Sequence, residues 1–242
     1  MTTRREFLQA TAATAAASAL PAGTLSASVA VDASATIVFQ GDSITDCGRN
    51  RKAAAANDPG ALGTGYPLLL TSRLREEQPK SDYQCFNRGV SGNIVADLAA
   101  RWQSDTLDLK PGLLSILIGV NDVWHTLGKT PAADVVSGYE SGYAALLAQT
   151  KRALPQVKLV VLEPFVLHTG AVTDAWFPEF DQLRAASRRV ADRAGARFVP
   201  LHEMFQRRAA KSSAAYWASD GVHPTAAGHE AIADAWMQAV KI

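Results

Sequence analysis

Thr36-Ile37-Val38-Phe39-Gln40-Gly41-Asp42-Ser43-Ile44-Thr45 is a short apolar run that ends in a glycine and a polar turn. The β-branched and aromatic residues of 36–40 predict a buried strand. Gly41 ends that strand, and Ser43 then stands at a strand-to-helix turn, which holds a hydroxyl at the edge of a sheet. Two interpretations of Ser43 stay open, because a serine at such a turn is either a nucleophile or a common helix N-cap.

The rest of the chain alternates predicted strands and helices. Further apolar runs predict strands at 83–87, 113–118, 157–162 and 197–200. Helical spacing of apolar residues predicts helices at 66–77, 94–102, 134–154, 180–194 and 225–240. This alternation predicts an α/β fold whose parallel sheet is covered on both faces. Functional residues are then expected at the carboxyl ends of the strands, near the topological switch point.

The length, charge and cysteine content argue against several classes of protein. The 242 residues give room for one sizeable domain. The chain carries 24 Lys and Arg against 23 Asp and Glu, and this near balance argues against a nucleic-acid partner. No apolar run reaches the roughly 18 residues that would predict a membrane span. Cys47 and Cys85 are too few for a disulfide scaffold or a cysteine-built zinc site, and we expect them to be unpaired.

The first 30 residues are predicted to lie outside the folded domain. Arg4-Arg5, followed by an alanine-rich run, resembles a twin-arginine export signal. The alternative is an alanine-rich helix with a chance arginine pair, but a proline and a glycine interrupt that segment. Small residues at 27–30 offer a cleavage site. We therefore predict a removed signal at 1–30, a single domain at 31–242, and export by the twin-arginine machinery to the periplasm or the medium.

Three further polar segments follow predicted strands or precede the last helix. Gly92 lies in Gly89-Val90-Ser91-Gly92-Asn93, where the glycines either permit a turn or direct a backbone N–H at a reacting oxygen. Asn121 follows the third strand, where it either caps a helix or offers its amide N–H groups to an oxyanion. Asp220 precedes His223 by three residues, and this spacing lets a carboxylate orient an imidazole.

Taken in order, the segments around Ser43, Gly92, Asn121 and His223 resemble the four sequence blocks of the SGNH hydrolases, the GDSL-type esterase superfamily. The resemblance implies a three-layer α/β/α, flavodoxin-like fold with a five-stranded parallel sheet. It also implies that Ser43 is a nucleophile and that His223 and Asp220 complete a catalytic triad. The oxyanion hole would consist of the Ser43 and Gly92 backbone N–H groups and the Asn121 amide. Neither a metal ion nor an organic cofactor is implied.

Three stretches are similar to the acetyl-xylan esterase branch of this superfamily, namely 41–49 (GDSITDCGR), 63–66 (GTGY) and 118–124 (IGVNDVW). The resemblance implies an esterase that deacetylates carbohydrates, such as acetylated xylan or its oligosaccharides, through an acyl-enzyme. Tyr66, Trp124 and Trp217 are candidate pocket residues. The proline that follows Tyr66, and Trp217 itself, depart from the branch pattern and indicate a different pocket wall.

Other functions stay open at this point. Within the superfamily, the alternative is a short-chain lipid esterase, a lysophospholipase or a thioesterase. A nucleotide- or flavin-binding module would use Ser43 and Thr45 to hold phosphate, but Asp42 and Asp46 would repel that anion. A non-catalytic carbohydrate-binding protein would have little reason to keep a complete triad. The sequence is also compatible with a homo-oligomer.

Overall fold

Parallel strands form the middle layer of the protein. The structure is a computed structural model that describes Val29 and residues 31–240. The strands in this part of the chain are β1 (Thr36–Gly41), β2 (Gln84–Asn87), β3 (Leu113–Leu117), β4 (Lys158–Leu162) and β5 (Arg197–Val199). They lie in the order β2-β1-β3-β4-β5, and every neighbouring pair is parallel. The direction of winding reverses between β1 and β3, and this reversal is the topological switch point.

Helices cover the sheet on both faces. In chain order they are α1 (Ser43–Asp46), α2 (Pro59–Leu62), α3 (Tyr66–Glu77), α4 (Val95–Trp102), α5 (Val120–Trp124), α6 (Ala132–Ala153), α7 (Glu179–Ala194), α8 (Leu201–Ala209), α9 (Ala214–Trp217) and α10 (Ala226–Val240). A π-helical turn at Gln103–Leu107 continues α4, and a 3₁₀ turn spans Asp174–Trp176. Helix α10 packs against α3, and α6 packs against α4 and α7. The architecture confirms the predicted three-layer α/β/α fold with a five-stranded parallel sheet.

The predicted elements agree closely with those observed. All five predicted strands and all five predicted helices are present, and their ends differ from the predictions by at most two residues. The sequence gives no bounds for α1, α2, α5 and α9, because a helix of four or five residues is too short to show a periodic pattern. The sequence also does not predict α8, since its buried residues Leu201, Met204 and Phe205 span little more than one turn.

Buried side chains join the helices to the sheet. All five residues of β3 are buried, as expected for a central strand covered on both faces. The Trp236 indole of α10 donates to Ser115 Oγ of β3 at 3.0 Å. On the helices, the Trp102 indole of α4 donates to Thr150 Oγ1 of α6 at 2.9 Å. These buried polar groups are paired, which avoids the penalty of about 1–3 kcal/mol for an unsatisfied group.

The predicted export signal, its cleavage site and the boundary at residue 30 lie outside the described residues, apart from Val29. The Val29 backbone N–H donates to the Val240 carbonyl at 2.9 Å, so the start of the described chain lies beside the end of α10. None of the described helices is both long and apolar enough to cross a membrane. Cys47 and Cys85 are both free thiols, as expected.

Candidate active site

The turn after β1 places Ser43 at the carboxyl edge of the sheet. Asp42 caps α1, and its buried carboxylate accepts a hydrogen bond from the Ile44 N–H at 2.9 Å. Burial raises the pKa of Asp42 to about 7, although the Ile44 hydrogen bond opposes that rise. At Gly41, a Cβ atom would lie only 2.3 Å from the Leu117 carbonyl oxygen, so this close approach of β1 and β3 requires glycine. Ser43 is therefore the first helical residue after a tight turn, and its side chain is half-buried.

Ser43, His223 and Asp220 form one hydrogen-bonded chain. Ser43 Oγ lies 2.8 Å from His223 Nε2, and His223 Nδ1 lies 2.6 Å from Asp220 Oδ2. The other carboxylate oxygen of Asp220 accepts the backbone N–H groups of His223 at 2.7 Å and of Val222 at 2.9 Å. Burial would raise the pKa of Asp220, but the hydrogen bonds from His223 and Val222 outweigh it and hold that pKa below its usual range. The carboxylate is therefore ionised at neutral pH and faces the imidazole.

The loop that carries Asp220 and His223 is fixed by the segment after β4. The Leu167 N–H donates to the Gly221 carbonyl at 2.8 Å, and the Ala171 N–H donates to the Asp220 carbonyl at 2.9 Å. Gly221 has φ +88°, and a Cβ there would lie 2.4 Å from the Thr169 carbonyl oxygen. Only glycine fits this position, where the loop that carries His223 packs closely against the segment after β4.

Gly92 and Asn121 lie at the same edge of the sheet, after β2 and β3. The loop of Gly92 is tied to α1, because Asp46 accepts the Ser91 N–H at 2.9 Å and the Ser91 hydroxyl at 2.8 Å. Gly92 is exposed and has φ +84°. Asn121 is buried, and its Nδ2 donates to the Asn93 carbonyl at 3.1 Å. An amide nitrogen carries two hydrogens, so Asn121 still has one to offer a ligand.

Of the three candidate pocket residues, Trp124 lies beside the triad. Its ring centroid is 6.0 Å from that of His223 and 5.6 Å from that of the buried Trp176. The prediction for Tyr66 is wrong, because its side chain is fully buried and its hydroxyl pairs with Thr45 Oγ1 at 2.9 Å. Tyr66 lies at the start of α3, where its ring fills the core instead of the substrate side.

Trp217 is placed by its neighbours on α8 and α9. Its ring packs against Phe205 and Tyr216, and the Arg208 guanidinium lies over it. Its indole N–H donates to Ser212 Oγ at 2.9 Å. These ring contacts are with residues outside the triad, so the structure does not support the prediction that Trp217 lines the pocket.

His229, to which the sequence analysis gives no catalytic role, lies beside the end of α1 and the start of α3. Its Nδ1 accepts the Tyr66 N–H at 3.2 Å, and its Nε2 lies 3.3 Å from Cys47 Sγ. Burial lowers the pKa of His229 to about 4, and the nearby His223 acts in the same direction. His229 is therefore a neutral packing residue at physiological pH. Among the residues that the structure describes, no group of three His, Cys, Asp or Glu side chains could hold a metal ion.

The sequence and fold of this protein match known hydrolases. The profile of the GDSL-like lipase/acylhydrolase family matches residues 39–231. The chain belongs to this family. An acetylxylan esterase of Geobacillus stearothermophilus is 34% identical over 208 residues, which cover 84% of this chain and 93% of the relative. As a family member with such a relative, the protein is a carboxylic ester hydrolase, which excludes the predicted alternative of a non-catalytic binding module.

Solved structures of the family have the same fold. A GDSL lipase-like protein from Parabacteroides merdae superimposes with a TM-score of 0.84 at 39% identity, covering 89% of this chain and 99% of the other. The acetylxylan esterase of Geobacillus stearothermophilus superimposes with a TM-score of 0.76 at 31% identity, covering 86% of this chain and 94% of the other. The hydrolase fold thus extends over nearly all of the described residues.

The N-terminus is an export signal. Residues 1–21 match the twin-arginine translocation signal sequence, which confirms the prediction from Arg4-Arg5. The protein is therefore exported by the twin-arginine machinery to the periplasm or the medium. Cleavage near residue 30 remains a prediction.

Replacing Arg4 and Arg5 by lysine should leave the precursor in the cytoplasm. The two substitutions keep the positive charge but remove the arginine pair that the signal carries. The measurement is esterase activity and immunoblotting of cytoplasmic and periplasmic fractions. The same replacement at Arg73 and Arg75, which lie in α3 of the folded domain, is the matched control and should not alter export. Normal periplasmic accumulation of the Arg4→Lys, Arg5→Lys variant would contradict the prediction.

Proposed function

We propose that this esterase removes acetyl groups from carbohydrates, with acetylated xylan or its oligosaccharides as substrate, by a Ser-His-Asp acyl-enzyme mechanism. The observation that carries the mechanism is the chain of short hydrogen bonds from Ser43 through His223 to Asp220. A serine hydroxyl is a weak nucleophile at neutral pH and needs such a base within hydrogen-bond reach.

Each residue of the triad has a distinct task. As Ser43 Oγ attacks the ester carbonyl carbon, its proton moves to His223 Nε2, and the carbonyl oxygen becomes negative. The bond between the carbonyl carbon and the sugar oxygen then breaks as His223 donates that proton to the sugar oxygen, so the sugar leaves as an alcohol and an acetyl-Ser43 ester remains. A water molecule then gives a proton to His223 and attacks the carbonyl carbon of this ester. The bond between that carbon and Ser43 Oγ breaks, His223 returns the proton to Ser43 Oγ, and acetate is released. Asp220 holds the imidazole in orientation and stabilises its transient positive charge.

The negative oxygen of the intermediate needs hydrogen-bond donors. Three are proposed: the Ser43 N–H, the Gly92 N–H and the Asn121 amide. Ser43 lies at the start of α1, where the first backbone N–H groups of a helix have no partner within the helix. Removing one donor of such a hole typically lowers turnover by about 10²–10³.

The surroundings of Trp124 favour a small acyl group. The Trp124 ring lies between His223 and Trp176, and Trp176 in turn packs edge-on against Phe180 at 6.2 Å. Because Trp176 and Phe180 are both buried, Trp124 rests against aromatic side chains that belong to the core. An acetyl methyl group needs little room beside these side chains, whereas a long acyl chain would remain in water. Export to the compartment where polysaccharide fragments arrive agrees with a carbohydrate ester.

Acetate esters should be hydrolysed much faster than esters of eight or more carbons. A lipid-binding tunnel would gain about 0.8 kcal/mol for each buried methylene, so its kcat/KM would rise with chain length. The measurement is kcat/KM for p-nitrophenyl esters of two to twelve carbons, run beside acetate release from acetylated xylo-oligosaccharides. If kcat/KM increases with the length of the acyl chain and no acetate is released from the sugars, the protein is a lipid esterase instead.

Two tryptophan variants locate the acyl pocket within the same experiment. Trp124→Ala should flatten the chain-length dependence, because it opens the space beside His223. Trp217→Ala removes an indole of the same size whose ring contacts are with Phe205, Tyr216 and Arg208. Its chain-length dependence should follow that of the wild type. If Trp217→Ala flattens the chain-length dependence and Trp124→Ala does not, Trp217 forms the pocket wall instead.

A further inference from the structure

Arg101 lies near the end of α4 and directs its guanidinium at the carboxyl ends of two strands. Its side chain is only 17% exposed. Nε donates to Asn93 Oδ1 at 2.8 Å, and Nη2 donates to the Gly41 carbonyl at 3.2 Å. Nη1 donates to the Arg88 carbonyl at 2.7 Å and to Gln40 Oε1 at 3.0 Å. Every nitrogen of this guanidinium is therefore engaged.

These acceptors belong to the segments that hold the proposed reacting groups. The Gly41 carbonyl ends β1, two residues before Ser43. The Arg88 carbonyl directly follows β2, and Asn93 directly follows Gly92. The planar guanidinium of Arg101 thus fixes the distance between the turn that carries Ser43 and the loop that carries Gly92.

Asn93 extends this connection to the third strand. Its side chain accepts from Arg101, while its backbone carbonyl accepts from Asn121 Nδ2 at 3.1 Å. The position of the Asn121 amide therefore depends on where Asn93 stands, and Asn93 is held by Arg101. The Gly92 N–H and the Asn121 amide are linked through one residue.

The guanidinium itself is held by the π-helical turn that follows α4. Asp105 lies in this turn, and its carboxylate pairs with Arg101 Nη1 at 2.9 Å. π-Helical turns are frequently found at functional sites. A lysine could not replace this arginine, because one ammonium group cannot span acceptors on both strands and the loop.

We propose that Arg101 is the positioning residue of the oxyanion hole, fixing the Gly92 N–H and the Asn121 amide relative to Ser43 without touching the substrate. This inference rests on the proposed roles of Gly92 and Asn121. Oxyanion donors act only when they meet the position of the charged oxygen, and a misplacement of about 1 Å can lower the rate about 10²-fold. The loss should therefore fall on kcat and not on KM.

The first part of the test compares Arg101→Lys and Arg101→Ala with the same replacements at Arg73. Arg73 is a matched control, since it is also partly buried and pairs with two carboxylates, Glu230 and Asp234, on α10. With p-nitrophenyl acetate as substrate, the Arg101 variants should lose about 10²-fold in kcat with little change in KM. The Arg73 variants should keep the wild-type kcat.

The second part measures the tetrahedral adduct directly. Phenylboronic acid forms a tetrahedral adduct with an active-site serine, so its inhibition constant reports the oxyanion hole. This constant should rise in the Arg101 variants in proportion to the loss of kcat/KM. An inhibition constant that does not move while kcat falls would show a merely structural role and overturn the proposal.

Asn93→Ala gives a test that does not depend on the folding of the Arg101 variants, because it removes the carboxamide that accepts from Arg101 and keeps the backbone carbonyl that accepts from Asn121. It should reproduce the loss of kcat, and combining it with Arg101→Lys should add little further loss. Fully additive losses, or a wild-type kcat in folded Arg101 and Asn93 variants, would refute positioning through Asn93. Failure of the proposed function is distinguishable, since Ser43→Ala would then retain turnover and the wild type would not bind the boronate.

Discussion

We expect Ser43→Ala to lower kcat on p-nitrophenyl acetate by about 10⁴–10⁶-fold, because serine hydrolases without their nucleophile keep only the catalysis of the oxyanion hole and of substrate binding. The Oγ atom that is lost lies 2.8 Å from His223 Nε2, and His223 Nδ1 lies 2.6 Å from Asp220 Oδ2. The fold should be unaffected, because the backbone carbonyl of Ser43 still accepts from the Cys47 N–H at 2.9 Å. The measurements are steady-state kinetics and circular dichroism on the purified protein.

Ser91→Ala is the matched control for this prediction. Ser91 lies beside Gly92, but its hydroxyl donates to Asp46 and not to the imidazole. Its loss should reduce activity far less than the loss of Ser43. An organophosphate reagent should label Ser43 in the wild type and in Ser91→Ala, as read by mass spectrometry of peptides. Turnover near the wild-type level in Ser43→Ala would assign the nucleophile to another residue.

The fold could be predicted because its signals are local. The strands β1 and β3 are short apolar runs that end at or near a glycine, and β1 with Gly41 shows this within six residues. Asp220 and His223 are three residues apart, so their pairing is also a local property. Ser43 and His223 are 180 residues apart, and only the resemblance to a known family placed them together.

Arg101 shows why the support of the site could not be predicted. An arginine near the end of a helix is typical of a solvent-exposed face, and two of its acceptors are the backbone carbonyls of Gly41 and Arg88. Every residue has a backbone carbonyl, so the sequence does not show which carbonyls accept a hydrogen bond from an arginine. The prediction that Tyr66 lines the pocket was wrong for a related reason. A motif gives the position of an aromatic residue in the chain but not the direction of its ring.

Asp220→Asn should lower kcat by about 10³–10⁴-fold while the loop keeps its shape. Asparagine retains an oxygen that can accept the backbone N–H groups of Val222 and His223, as Asp220 Oδ1 does now. The amide nitrogen, however, can only donate, and it would replace the carboxylate oxygen that lies 2.6 Å from His223 Nδ1. A neutral imidazole that accepts at Nδ1 carries its proton on Nε2, and Nε2 then cannot take the proton of Ser43. The measurement is kcat and kcat/KM on p-nitrophenyl acetate.

Asp174→Asn is the matched control, because Asp174 also pairs with a histidine, His168 at 3.2 Å, but on the exposed surface. It should leave kcat unchanged.

Stability gives an independent readout for Asp220. Since its pKa is lowered in the folded protein, its carboxylate stabilises the fold above the unfolded pKa of about 3.9, and this contribution is lost as the pH falls through the folded value. The difference in Tm between wild type and Asp220→Asn should therefore be present at neutral pH and shrink at strongly acidic pH. Wild-type kcat in Asp220→Asn would mean that His223 is oriented by another group, and the proposed triad would have to be abandoned.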